Sequence, residues 1–370
     1  MGRLAQLAST VLVLATLVVL SISCTPAAPA PAPTQPAAKS AEPAKPVAQP
    51  TPVPAPTKAP EPTKPAAPTP IAKEVPEQSK LTVGALPISS LAPFYIAEMK
   101  GWYKDEGITI GTTPQFGNQG MAILESGKMD LNFADVVGTI TVLSEGFKFV
   151  VVAPASSARD APPDSSALAV LKDSGVKRPK DLEGKRVAVD ALRGMNWAYV
   201  RLLVQKDGGD PTKVNFVELP PPQMPDTLLN KQVDAANVME PAHSLLLGTG
   251  KVDVMSYPLV GTQPKMDISM IVAREDWAKN NPITLRNFLR AYGKAIDFIN
   301  QNEAEARKAV AEYAKLDPSV AGKMNLNAFR RQVQPDQMEK TMELMIQNGW
   351  LKEKIDIKKG IWPTALNLPR

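Results

Sequence analysis

The chain has 370 residues, and its 42 Lys and Arg against 37 Asp and Glu leave a net charge of +5. That near balance, with no basic run, excludes an electrostatic nucleic-acid binder. One cysteine and one histidine exclude an internal disulfide and a histidine-rich metal centre, so no bound metal and no cofactor is expected.

The chain opens "MGRLAQLASTVLVLATLVVLSISC". One arginine precedes an apolar run, Val11 to Leu20, and small residues then lead to Cys24. That order predicts a secretory signal over residues 1–23. The run is only half of the roughly 20 residues that span a bilayer. Its end, "LSISC", is similar to the bacterial lipoprotein box. The similarity implies that Cys24 is lipidated and tethers the protein to a membrane surface by acyl chains. Residues 24–79 hold nearly half of the 37 prolines and show no period of 2 or 3.6. They predict an extended, disordered tether, rising about 3.1 Å per residue where polyproline II forms.

The folded part begins at Lys80. "KLTVGAL" reads as a strand, Ser89 or Ser90 as a helix cap, and "PFYIAEMKGW" as the helix. "ITIGTTPQF" alternates like a second strand. A loop, the helix "GMAILESG" and the strand "MDLNFAD" follow. "FKFVVVAPAS" and "SALAVLKD" read as buried strands. The same β-α-β-α-β order returns in "KRVAVDAL", "RGMNWAYVRLLVQKDG", "VNFVELP", "PDTLLNKQ" and "VDAANVMEP". Two such units predict a two-lobed α/β protein. The first lobe takes residues 80–174 and the second 175–265. Residues 266–370 return to the first lobe and end in helices, where Phe288, Leu289, Tyr292, Ile296 and Ile299 recur at helical spacing as a core face. Ser166–Asp173 and Met266–Glu275 are the expected hinge strands. One phrase is written twice: Gln119 stands eleven positions before Asp130, and Gln223 eleven before Asp234.

Enzyme signatures are scarce. No nucleophile elbow or phosphate loop occurs, and His243, in "MEPAHSLLL", reads as a packing or capping residue. What remains is a binding design. In open α/β sheets ligands sit beyond the carboxyl ends of strands, at helix starts. Those points hold Ser89, Ser90, Asn118, Gln119 and Asp135 in the first lobe. In the second they hold Arg193, Asn196, Trp197, Gln223 and Glu240. Gln119 and Gln223 are expected on opposite sides of one ligand.

"KLTVGALPISSLAPFYIAEMKGWYKDEGI" resembles the opening of the ABC-transporter solute-binding proteins for nitrate, aliphatic sulfonates, taurine and thiamine-pyrimidine precursors. "NQGMAILESGKMDLNFAD" and "QMPDTLLNKQVDAANVMEP" are similar to two later motifs of that family. The resemblance runs from Lys80 to about Leu351. It implies a two-lobed periplasmic-binding-protein (Venus-flytrap) fold of the two-crossover type II, with no catalysis. It also implies a small-molecule ligand in the cleft, and docking of a monomer on an ABC permease and its ATPase at the outer face of the membrane. Asp135 and Glu240, if both face the cleft, repel a simple anion and suit a ligand carrying N–H donors, such as an aminopyrimidine. An organic anion (sulfonate, taurine or nitrate class) is the alternative. An enzyme of the pyrimidine-precursor branch or a ligand sensor stands behind both.

Overall fold

The computed structural model describes residues 74–114 and 119–370. The predicted signal, Cys24, most of the 24–79 tether and Asn118 lie outside the described residues. The chain first forms β1 (Lys80–Gly84), α1 (Ala92–Met99), α2 (Trp102–Asp105), β2 (Thr109–Thr113), α3 (Gln119–Glu125), β3 (Leu131–Asp135), α4 (Val136–Ser144) and β4 (Phe149–Ser157). After a crossing come β5 (Ser166–Leu171), β6 (Arg186–Val189), α5 (Met195–Lys206), β7 (Asn215–Glu218), α6 (Met224–Leu229), β8 (Ala235–Met239), α7 (Ala242–Gly248), β9 (Val252–Ser256) and α8 (Pro258–Thr262). A second crossing leads to β10 (Asp267–Arg274), α9 (Glu275–Asn280), α10 (Pro282–Gln301), α11 (Glu303–Tyr313), α12 (Pro335–Gln347) and α13 (Pro363–Leu366).

The strands form two five-stranded sheets, β2-β1-β3-β10-β4 and β7-β6-β8-β5-β9. In each, the first three run parallel, and the strand that follows a crossing, β10 or β5, inserts antiparallel. This is the two-lobed α/β fold expected from the doubled pattern. The sequence reading takes Ser166–Asp173 as a hinge strand of the first lobe, whereas pairing puts β5 between β8 and β9 of the second sheet. A strand buried along its whole length has no alternation to show which sheet owns it. The crossings are residues 158–165 and 263–266.

The twice-written phrase has a backbone meaning. Asp130 accepts the amide of Thr82 at 2.7 Å and donates its own N–H to the Thr82 carbonyl at 2.9 Å. Asp234 makes the same pair with Arg186, at 2.8 Å both ways. Each aspartate fixes the entry of a parallel strand beside the first strand of its sheet.

Apolar packing holds the sheets. Phe288, Leu289, Tyr292, Ile296 and Ile299 of α10 are all buried, and the Phe288 ring stacks on Tyr103 with centroids 5.0 Å apart. Burial of each such large side chain contributes about 2–3 kcal/mol. On the other face of the first sheet, Met195, Ala198, Tyr199 and Leu202 of α5 share one core with α4 and with Met338, Met342 and Met345 of α12. Tyr199 Oη donates to Gln263 Oε1 at 2.7 Å within that contact. The two lobes are therefore joined by apolar packing as well as by the crossings.

The predicted tether differs from the structure at its end. The Glu77 carboxylate accepts the amides of Ile283 and Thr284 and the Thr284 hydroxyl. Glu74 pairs with Arg286 at 3.0 Å. Residues 74–79 thus dock on the first turn of α10, whose N-cap Asn281 offers no side-chain bond. The open N–H groups of that turn, and its positive dipole end, attract a carboxylate supplied from elsewhere in the chain.

Candidate functional site

The carboxyl ends of the parallel strands of both sheets enclose a cavity of about 120 Å³. The first lobe contributes Gly84 to Leu86 after β1, Asn132 to Asp135 at the end of β3, and Gly120 and Met121 from α3. The second contributes Asp190 and Ala191 after β6, Met195 and Asn196 at the start of α5, and Met239 at the end of β8. This is where the strand order of each sheet reverses direction, the place ligands occupy in such sheets.

Asp135 caps α4, accepting the Gly138 amide at 2.8 Å. It also lies against the other lobe: the Met195 amide at the start of α5 acts on it, and a Cβ added to Gly194 would stand 3.7 Å from its Oδ2. Burial pushes the Asp135 carboxyl up to about 6, the Gly138 amide pulls it down, and the charge of Asp190 raises it further. Asp190 is raised too, by burial first, against the hydrogen bond from Asn196. That bond, Asn196 Nδ2 to Asp190 Oδ1, is 2.9 Å. One carboxylate from each lobe therefore faces a cavity whose described lining contains no Lys, Arg or His.

The other expected residues fall into three groups. Ser90 and Asn196 line the cavity with Asp135. Ser89 and Glu240 sit beneath it and do not line it. Ser89 Oγ and Ser90 Oγ both donate to Asn327 Oδ1, at 2.9 and 3.4 Å, and the Ser89 amide reaches the Glu240 carbonyl at 3.1 Å. The Glu240 carboxylate is fully buried. It accepts the Ser244 amide and hydroxyl and the Asn325 amide at 2.9–3.1 Å. It is a knot between α7 and residues 323–327. His243 is buried beside it, with Nδ1 3.2 Å from Glu240 Oε1, and is absent from the cavity wall.

Arg193, Trp197, Gln119 and Gln223 face elsewhere. Arg193 adopts a left-handed φ of 64° and with Trp197 lines a separate groove against Trp350. The Trp197 and Trp350 rings are 5.2 Å apart, and the Arg201 guanidinium lies 4.7 Å over Trp197. Gln119 and Gln223 are exposed. Asn118 is outside the described residues.

Sequence reasoning missed Asn132, Asp190 and the thioethers Met121, Met195 and Met239. Asp190 carried a signal: it ends the strand "RVAVD" just as Asp135 ends "LNFAD". The methionines carried none, because a core methionine and a cavity methionine look alike in sequence.

With this geometry the relatives can be placed. The pattern of the family described as NMT1/THI5 like matches residues 88–306. The chain belongs to the NMT1/THI5-like family. Among curated proteins, a 4-amino-5-hydroxymethyl-2-methylpyrimidine phosphate synthase of Aspergillus parasiticus is 22% identical over 65% of this chain and 71% of its own. A putative aliphatic sulfonates-binding protein of Bacillus subtilis (strain 168) is 23% identical over 73% of this chain and 82% of its own. Among solved structures, the alkanesulfonate-binding protein SsuA of Xanthomonas axonopodis pv. citri, bound to MOPS, aligns with a TM-score of 0.65 at 16% identity, over 77% of this chain and 99% of that one. The periplasmic nitrate-binding protein NrtA of Synechocystis PCC 6803 aligns with a TM-score of 0.65 at 16% identity, over 78% and 87%. The fold of this NMT1/THI5-like chain is thus that of the periplasmic binding proteins.

Proposed function

We propose that this protein is the extracytoplasmic substrate-binding subunit of an ABC importer, and that it holds a small, N–H-bearing heterocycle between its lobes. The observation that carries this is the cavity itself. Two carboxylates, Asp135 and Asp190, face it from opposite lobes, and no cation stands among its described lining residues. Two acidic groups in a poorly solvated cleft repel nitrate or a sulfonate and reward donated N–H groups. The methionine and aliphatic wall suits a flat apolar ring. The relatives named for an aminopyrimidine support the ligand class, and those named for sulfonate and nitrate binding support the role. The buried His243, away from the cavity, argues against acid–base catalysis there.

Closure over the ligand follows from differential affinity, since only the closed state offers both carboxylates at once. The protein acts as a monomer, exported and anchored through Cys24, and delivers its ligand to a permease and its ATPase. Titration calorimetry with 4-amino-2-methylpyrimidine, methanesulfonate and nitrate tests the ligand class. Saturable binding of the first alone is expected, and binding of the anions alone would reverse the assignment. Metabolic labelling with a fatty acid, lost in Cys24→Ala together with membrane retention, tests the anchor.

A further inference from the structure

Asn132 stands on β3 with 3% of its surface exposed and lines the cavity. Among the described residues its Oδ1 has no hydrogen-bond partner. Its Nδ2 meets only the Met121 thioether, at 3.5 Å, and a thioether is a weak acceptor. Burying an unpaired amide costs stability, and native structures rarely keep one without a use.

The neighbouring backbone is built to admit this side chain. A Cβ on Gly120 would stand 2.8 Å from Asn132 Nδ2 and 2.9 Å from Oδ1. Only glycine lets the first turn of α3 lie over the amide. Met121, the next residue, is a long flexible side chain that can swing away from Nδ2 at little cost.

We propose that Asn132 selects the ligand. This rests on the reading of the cavity as a ligand site. An asparagine amide carries a donor and an acceptor side by side, so it pairs with an edge that carries the complement. That edge is an N–H next to a ring nitrogen or a carbonyl, as in an amide or an amino-substituted heterocycle. Asp135 and Asp190 accept further N–H groups, while Asn132 supplies a donor, held only by a thioether, for the ligand's acceptor atom. Met121 holds that donor until the ligand replaces the sulfur. The carboxylates then reject anions, and Asn132 distinguishes among the rings they tolerate.

The test uses the full-length protein and its Asn132→Leu variant, close in shape but without the amide. Binding of 4-amino-2-methylpyrimidine is compared with that of 2-methylpyrimidine, which lacks the exocyclic donor. Wild type is expected to prefer the amino compound, and Asn132→Leu to bind it about tenfold more weakly, with the preference reduced to what Asp135 and Asp190 supply. Without ligand, the variant is expected to melt at or above the wild-type temperature, since it removes an unpaired buried amide. A variant that keeps both affinity and preference overturns the role of Asn132 and leaves the cavity assignment standing. A fall in the ligand-free melting temperature shows a structural amide and also overturns it. If wild type binds neither pyrimidine, the cavity assignment fails and this inference with it.

Discussion

The two walls of the cleft are built from the same residue types and leave them in opposite states. In the second lobe, Asn196 donates to Asp190 at 2.9 Å and approaches the Met239 sulfur at 3.8 Å, while Ser166 Oγ donates to its Oδ1 at 3.5 Å. Its amide is committed, and it holds a carboxylate in place. In the first lobe, Asn132 has only the Met121 sulfur among the described residues, and the local carboxylate Asp135 is held by the backbone instead. A shared sheet topology places polar groups at equivalent strand ends. Which of them is free for a ligand is decided by the nearest partner, and that differs between lobes. The second wall is a fixed support and the first wall is the reading face.

The largest disruption of this comparison lies where the walls join. Glu240→Ala removes a buried carboxylate that ties α7 to residues 323–327, leaves the Ser244 and Asn325 donors unpaired, and should cost about 2–3 kcal/mol in urea denaturation. A loss under 1 kcal/mol would mean that the Glu240 carboxylate adds little to the crossings and the α5–α12 core that join the lobes.

Next in size is the pH response of the first wall. The Asp135 carboxyl is pushed up to about 6 in the folded protein, against about 3.9 in the unfolded chain. Folding therefore takes up a proton between those values. Stability falls as pH rises through that window and is level above it. With allowance for solvent in the cleft, the change is about 1–2 kcal/mol. Asp135→Asn should make the fall of the melting temperature between pH 4 and 6.5 shallower, leaving the part owed to Asp190, which is raised as well, and an unchanged profile would remove Asp135 as a titrating group.

The paired aspartates test whether the lobes are built alike. Asp130→Ala and Asp234→Ala each lose a carboxylate bond to a strand amide and one further contact, from Gln78 Nε2 to Asp130 and from the Arg186 guanidinium to Asp234, and each should cost about 1 kcal/mol. Costs differing by more than twofold would show that the repeated phrase bears unequal weight. The smallest effect belongs to Gln119→Ala and Gln223→Ala, whose side chains are exposed. Stability should stay within about 0.5 kcal/mol and ligand affinity should not change. A tenfold affinity loss on either would bring the twin glutamines back into the site.

Much of the fold was legible because hydrophobic period and strand–helix alternation are local. The doubled β-α-β-α-β order announced two like lobes, and the spacing of Phe288, Leu289, Tyr292, Ile296 and Ile299 announced the buried face of α10. Strand ends followed by helix starts pointed to Asp135, Ser90 and Asn196, all of which line the cavity. The repeated Gln and Asp were visible as well, but their roles separated in three dimensions: the aspartates pin strands and the glutamines face solvent.

The sequence by itself determined the number of lobes, the single histidine and the lack of any cysteine after Cys24, and the family resemblance. These depend on composition and on order along the chain. Only the tertiary structure decided that Glu240 is a buried knot, that Asp190 opposes Asp135, that Arg193 and Trp197 leave the cleft, and that Asn132 Oδ1 has no hydrogen-bond partner among the described residues. Burial and hydrogen-bond satisfaction are properties of what a side chain meets from distant segments. Asn325 reaches Glu240 across 85 positions, and no local pattern encodes that meeting.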